Sequence, residues 1–244
     1  MKVTVLGYYG GYPYKGKGTS GYLIQDNGYN LLLDCGSGVL NSLQNYLDPL
    51  QLDAVLITHY HYDHIADLGV LQYYWQLNSG KKKEAILPIY GHTQDGLNFG
   101  VLTLTGVTQG YGYSDLQPLN IGPFKITFQR TIHPVPAFAT RIEDQAGKVL
   151  TFTADTAYFD QLADFAKNSD LIIADTNFGR DKQGTIWHMT SEQSGTLAKK
   201  ANAKKLLISH LPQEYPLDKL LQETKVAADS IPVKEAAEGL EINL

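Results

Sequence analysis

Apolar residues in this chain come mostly in short runs. Val3-Thr4-Val5-Leu6, Leu31-Leu32-Leu33, Ala54-Val55-Leu56-Ile57, Leu171-Ile172-Ile173-Ala174 and Leu206-Leu207-Ile208 are each too short for a helix. Runs apolar at successive positions fit strands covered on both faces. Together with the segments between them they predict strands at 3–6, 22–26, 30–33, 54–57, 86–90, 124–130, 138–143, 149–153, 170–174 and 204–209. Helices are predicted at 37–47, 64–77, 159–167, 191–201 and 216–226. Early strands joined by tight turns, followed by strand–helix alternation, predict an α/β protein with two mixed sheets flanked by helices. No internal repeat, low-complexity tract or linker interrupts the pattern, so residues 1–244 read as one domain.

Composition narrows the class. The chain has 244 residues, 43% hydrophobic and 18% charged, as expected of a globular domain with a sizeable core. No run approaches the roughly 18 apolar residues of a membrane span, and Met1 leads straight into a strand and not into a signal sequence. The single cysteine, Cys35, excludes an internal disulfide, which fits a cytoplasmic location, and reads as a small buried hydrophobe. The net charge of −5 offers no basic surplus for gripping nucleic acid, and Lys81-Lys82-Lys83 reads as a solvated loop.

The chemistry lies at strand ends. His59-Tyr60-His61-Tyr62-Asp63-His64 follows the apolar run at 54–57 and places four metal-capable side chains in six residues. Imidazole and carboxylate are the usual non-thiolate ligands of zinc. At the end of a strand, alternation sends His59 and His61 to the same side, and Asp63 and His64 fall where the chain turns into a helix. His133, Asp155 and His210 also stand near predicted strand ends, and Asp34 ends the strand at 30–33. The glycine-rich stretch from Gly7 to Gly21 nearly spells a phosphate-binding loop. Gly18 stands where a hydroxyl would be needed and a strand follows instead of a helix, so that reading is rejected. The stretch reads as a flexible wall carrying Tyr8, Tyr9, Tyr12 and Tyr14. With Tyr60, Tyr62, Tyr73 and Tyr74 these tyrosines suit packing or a homodimer interface, and alternatively the stacking of a base.

The hexapeptide and the order of the later residues resemble the metallo-β-lactamase superfamily. That resemblance implies a four-layer αββα sandwich with the metal site on the edge between the sheets. It implies that His59, His61 and His133 hold one divalent ion, that Asp63, His64 and His210 hold a second, and that Asp155 bridges them. Zinc is the expected metal, with manganese able to substitute because no thiolate is involved. Asp34 then resembles a carboxylate that orients a metal-bound histidine. Two divalent ions offset by Asp63, Asp155 and a bridging hydroxide leave roughly one positive charge, which suits a small anionic substrate such as a phosphodiester.

Ala154-Asp155-Thr156, Ser169 to Ile173 and Trp187-His188-Met189-Thr190-Ser191 resemble the ribonuclease Z branch and its compact phosphodiesterase relatives. In that branch the histidine matching His188 donates a proton to the leaving oxygen, so His188 and Asp63 are the expected catalytic residues. Asp175 stands where the branch has the glutamate that often orients this histidine. The branch also carries a long tRNA-gripping arm between its third histidine and its bridging aspartate. Only 21 residues separate His133 from Asp155. A compact hydrolase of small phosphodiesters is therefore expected. Carboxyl-ester or lactone hydrolysis, tRNA 3′ processing and a non-catalytic scaffold are the alternatives. His92 has no partner pattern and reads as structural or supporting.

Overall fold

The computed structural model describes residues 1–244, which form two compact units. The first comprises Met1–Ser114, Ile121–Pro123 and Ala237–Asn243; the second comprises Asp115–Asn120, Phe124–Ala236 and Leu244.

The first unit is built on β1 (Lys2–Gly7), β2 (Gly21–Asp26), β3 (Tyr29–Leu33), β4 (Ala54–Leu56), β5 (Leu87–His92) and β6 (Thr108–Tyr113). The far strand β14 (Glu241–Asn243) joins them in the sheet order β14-β1-β2-β3-β4-β5-β6. Pairing is antiparallel from β14 to β3 and parallel from β3 to β6. Helices α1 (Val39–Leu43), α2 (Tyr62–Ile65), α3 (Leu68–Leu77) and α4 (Gly96–Gly100) belong to this unit. Leu32, Val55 and Ile57 from the sheet region join Val39, Leu43, Leu68, Leu71 and Trp75 in one buried cluster. The apolar runs are buried at every position because this sheet carries side chains into covered space on both faces.

The second sheet contains β7 (Leu119–Ile121), β8 (Phe124–Arg130), β9 (Phe138–Glu143), β10 (Val149–Phe152), β11 (Leu171–Asp175), β12 (Leu206–Ser209) and β13 (Val233–Glu235). Its order is β13-β12-β11-β10-β9-β8-β7, antiparallel across β8, β9 and β10 and parallel from β10 to β13. Each sheet thus has seven strands with an antiparallel part followed by a parallel one. Helices α5 (Asp160–Phe165), α6 (Ser191–Lys200) and α7 (Leu217–Ala228) complete the second unit. Thr190 caps α6, its hydroxyl accepting from Gln193 N while the Gln193 side chain accepts from Thr190 N. This capping box satisfies two amide groups that a helix start otherwise leaves open.

All ten predicted strands and all five predicted helical regions are present, β8 and β9 with the predicted bounds and the others with shifted ends. The helix expected at 37–47 is only α1, and that expected at 64–77 is broken into α2 and α3. Four strands, β6, β7, β13 and β14, and the short α4 carry too weak a pattern to have been expected. Residues 81–83 form a solvated loop as expected, in which Lys83 is tied down, its ammonium lying 2.7 Å from Asp53 Oδ2 and donating to Gly28 O at 2.6 Å. No helix is long and apolar enough to cross a membrane.

Candidate metal centre

In the first unit, β4 ends at Leu56 and α2 begins at Tyr62, so His59 and His61 stand in the intervening loop. Strand alternation therefore does not place them, contrary to the sequence expectation. Other constraints do. Tyr60 is buried between them and donates from Oη to His92 O at 2.6 Å. That anchor points Tyr60 into the core and brings the His59 and His61 rings to 4.9 Å. The His59 and His64 rings are 4.0 Å apart. Asp63 and His64 lie on α2, as expected from the chain turning into a helix there.

Asp34 organises this group. It is fully buried, with backbone φ of 58° just past β3. That left-handed conformation is costly for a non-glycine residue and turns the carboxylate sharply off the strand. Its Oδ2 lies 2.7 Å from His64 Nδ1 and accepts from Ser20 Oγ at 3.0 Å. Thr58 donates to it from both N and Oγ1. A carboxyl group at this distance favours the tautomer with the proton on Nδ1, which leaves the lone pair on Nε2. Asp63 Oδ2 accepts from Gly11 N at 2.7 Å. The glycine-rich loop is thus tied to a candidate ligand by its backbone. Nothing in the sequence signals this contact, because a main-chain donor has no residue signature. His92 packs on Tyr60 with ring centroids 4.4 Å apart, which fits its structural reading. Cys35 is buried, and burial pushes its thiol pKa well up. Both observations fit a small buried hydrophobe.

The second unit carries the rest. His133 and Asp155 follow β8 and β10 by a few residues, and His210 follows β12 directly. Ala154 and His210 have φ of 51° and 54°, so tight left-handed turns stand at the ends of both strands. His133 Nδ1 lies 3.2 Å from Trp187 O, and its Nε2 lies 3.8 Å from Asp155 Oδ2. His210 Nε2 lies 3.4 Å from Asp155 Oδ1, and its Nδ1 lies 3.3 Å from Asp175 Oδ1. Asp155 therefore stands between two histidines, as a bridging role requires.

His188 completes the group. Its Nδ1 is 2.9 Å from Asp175 Oδ2, and its ring stacks on His210 with centroids 4.9 Å apart. Ligand-capable atoms of Asp155, Asp175, His188 and His210 all lie within 4.8 Å of one another. Burial disfavours the charged form of Asp175, yet His188 and His210 outweigh it and hold the carboxyl below the usual range. Burial likewise opposes the imidazolium of His188, and Asp175 reverses this and raises its pKa. The sequence pointed to the Asp175–His188 pair but not to the contact of Asp175 with His210.

Each of the seven expected ligands falls in a group of side chains able to hold a metal ion. The donor chemistry fits one. In His59, His64, His133 and His210, Nδ1 faces Thr58 Oγ1, Asp34, Trp187 O and Asp175 respectively. An imidazole held at Nδ1 presents Nε2 with a fixed orientation, the usual arrangement around a bound metal. Nitrogen and carboxylate donors without thiolate suit divalent zinc or manganese.

The β-lactamase superfamily domain matches residues 29–211. A probable metallo-hydrolase of Bacillus subtilis, YhfI, is 48% identical over 227 residues, covering 92% of this chain and 93% of the relative. The crystal structure of that metallo-β-lactamase fold protein superposes with a TM-score of 0.94 over 99% of this chain and 98% of its own. Ribonuclease Z of Archaeoglobus fulgidus is 23% identical over 299 residues, covering 99% of this chain and 98% of the relative. The chain belongs to the metallo-β-lactamase superfamily, and its fold is the αββα fold of that family. It is a metal-dependent hydrolase.

Proposed function

We propose that the protein is a phosphodiesterase of small substrates, residues 1–244 acting as one hydrolase domain. In this reading His59, His61 and His133 serve one divalent ion, Asp63, His64 and His210 serve another, and Asp155 serves both. Such a pair of ions supplies a nucleophile at neutral pH and stabilises the charge that develops in a displacement. The chain's own contribution is to orient the imidazoles and to handle the leaving group. Asp34 and Asp175 fix the histidines they touch.

The observation that carries the phosphodiester reading is the His188–Asp175 pair. The Asp175 carboxylate 2.9 Å from Nδ1 favours the protonated form of His188 and raises its pKa. An alkoxide leaving from phosphorus needs a proton, and an imidazolium within reach supplies one. The Asp175 Oδ2–Nδ1 contact leaves Nε2 as the donating atom. Substrate size follows from the connection between His133 and Asp155. It consists of β9, β10 and their turn, in which Asp144 accepts from Ala146 N and Lys148 N. No arm for tRNA extends from it. A ribonuclease Z among the relatives fits cleavage of phosphodiesters, and the acidic balance of this chain favours small ones.

The deciding experiment assays the zinc- or manganese-loaded protein against bis-p-nitrophenyl phosphate, a cyclic nucleotide panel and a lactone. Turnover of the phosphodiesters is expected. Turnover of the lactone alone would transfer the protein to carboxyl-ester chemistry and sink the proposal.

A further inference from the structure

Beyond the metal-capable groups, the second unit holds one more carboxylate with an unusual set of partners. Glu223 lies on α7, and its side chain is 7% exposed. Glutamate is seldom buried unless its oxygens are paired. Here Oε2 accepts from Ser191 Oγ at 2.5 Å and from Arg180 N at 3.0 Å, while Oε1 accepts from Tyr215 Oη at 3.0 Å. Arg180 Nε and Lys219 Nζ add ion pairs at 3.8 and 3.7 Å. Burial works against the charged form, and these donors overcome it and keep the carboxyl below its ordinary pKa.

Arg180 lies in the loop that follows Asp175 and returns at His188, and Ser191 stands just past that return, at the start of α6, whereas Tyr215 and Lys219 lie beyond it. Phe178 N donates to Met189 O at 3.3 Å, and Ser191 N donates to Phe178 O at 2.7 Å, closing the loop at its neck. Residues 180–185 are exposed beyond it. Glu223 grips both limbs of this loop, the outgoing limb at Arg180 N and the returning limb at Ser191 Oγ. Through Tyr215 it also holds the segment that follows His210. The Tyr215 ring lies so close over Gly179 that a Cβ there would come within 2.2 Å of it. Asp175 stands three residues before Phe178 and His188 three before Ser191, so the neck sets the distance between that pair.

We propose that Glu223 is a positioning residue, which clamps both limbs of the Phe178–Met189 loop and thereby holds His188 against Asp175. The proposal rests on the reading of His188 as the leaving-group acid. A clamp of this kind acts on orientation, and orientation governs proton transfer more than substrate affinity. It needs no contact between Glu223 and substrate.

The test uses Glu223→Ala and Glu223→Gln in the full chain, with two readouts. The first is turnover by the metal-loaded protein of ethyl phenyl phosphate, a poor leaving group, and ethyl p-nitrophenyl phosphate, a good one. For Glu223→Ala, kcat on the phenyl ester is expected to fall roughly 10-fold further than on the nitrophenyl ester, with KM little changed. The second readout is the Nδ1–H proton resonance of His188 in the metal-free protein, which should shift or broaden. Glu223→Gln should restore part of both, because its amide oxygen can still accept from one limb. Equal losses on the two esters, an effect on KM alone, or an undisturbed His188 resonance would each overturn the proposal. If Glu223→Ala does not fold, Ser191→Ala removes one limb's contact and should give the same pattern in weaker form. A folded Ser191→Ala protein with an unmoved resonance counts against the clamp. If His188→Ala itself shows no leaving-group dependence, the acid reading fails. The resonance still reports on the clamp in that case, so the two failures are separable.

Discussion

One carboxylate, Asp175, touches two histidines, and the consequences for His188 and His210 differ. His188 is 2.9 Å away at Oδ2 and has its pKa raised, whereas His210 contacts Oδ1 at 3.3 Å while its other nitrogen faces Asp155. In the proposed reading His210 is a ligand and His188 is not, although both fall in one group with Asp155. Replacing His188 by Ala should therefore leave the metal content intact. Its kcat on an alkyl phosphodiester should fall roughly 10²–10⁴-fold, with a much smaller loss when p-nitrophenolate leaves, since that anion scarcely needs a proton. Loss of metal in this variant, seen by elemental analysis, would make His188 a ligand. Asp155→Ala should deplete both ions, because His133 and His210 both face this carboxylate, whereas His64→Ala should empty mainly one. Elemental analysis after zinc reconstitution distinguishes these patterns, and full retention of both ions by Asp155→Ala would exclude the bridging role. At this scale the sequence was highly legible, because metal-capable residues crowd at the ends of apolar runs. What it hid were the partners. Asp34–His64, Asp175–His210 and Gly11 N–Asp63 join residues 30, 35 and 52 positions apart, and no local pattern encodes such contacts.

Between residue and unit, the elements decide how closely the side chains can gather. Gly36 follows β3 and passes so near α2 that a Cβ would lie 2.0 Å from Asp63 O and 2.4 Å from Thr19 Oγ1. The backbone carbonyl cannot yield cheaply. Gly36→Ala should push α2 away from β3, costing on the order of 1–3 kcal/mol by overpacking. It should also weaken metal binding by His64 and Asp63. A thermal midpoint and a metal titration equal to wild type would show that the close approach is dispensable. A second element-scale device is Asp170 at the start of β11. Its Oδ2 accepts from Val149 N on β10, and Lys204 Nζ lies 2.7 Å from Oδ1. Burial opposes its charge, but Lys204 and the Val149 amide more than compensate, and its pKa is lowered in the folded protein. A carboxyl depressed on folding adds stability above its unfolded pKa of about 3.9 and loses it as pH falls through the folded value. Unfolding followed between neutral pH and about pH 3 should show Asp170→Asn narrowing its deficit to wild type only in the acid range. A deficit constant with pH would mean the asparagine merely repacks poorly. Element existence was legible wherever strands are buried at every position, as in β4, β11 and β12, or at all but the first, as in β3. It was not legible in β13 and β14, which bury one residue each, or in β6, whose Thr-Gln-Gly-Tyr-Gly-Tyr has too little apolar content. The break between α2 and α3 was hidden too, since Ala66 and Asp67 suit a continuous helix.

Across the whole molecule, the two sheets repeat one pairing plan, an antiparallel part leading into a parallel one. The sequence shows no repeat, because strand order depends on burial pattern and connection length and not on residue identity. The same scale governs what the protein can bind. Its 20 basic residues are outnumbered by 25 acidic ones, and several are committed nearby, with Lys17 paired to Glu238, Lys83 to Asp53, Lys199 to Asp229, Lys200 to Asp160, and Lys148 and Lys204 to Asp170. A net charge of −5 leaves no surplus to release counterions from a polyanion. Each phosphate contacted by a cation adds roughly 0.7–0.9 to the slope of log affinity against log salt. A tRNA gripped by many lysines and arginines would therefore bind tightly at low salt and lose affinity steeply. We expect the opposite, namely weak tRNA binding whose dependence on salt is shallow, alongside turnover of small phosphodiesters. Filter binding or anisotropy over a range of salt, run with a trailer-bearing tRNA precursor, measures the slope and the cleavage together. Efficient removal of the trailer at physiological salt would require a basic grip that these pairings do not leave, and would return the protein to RNA processing.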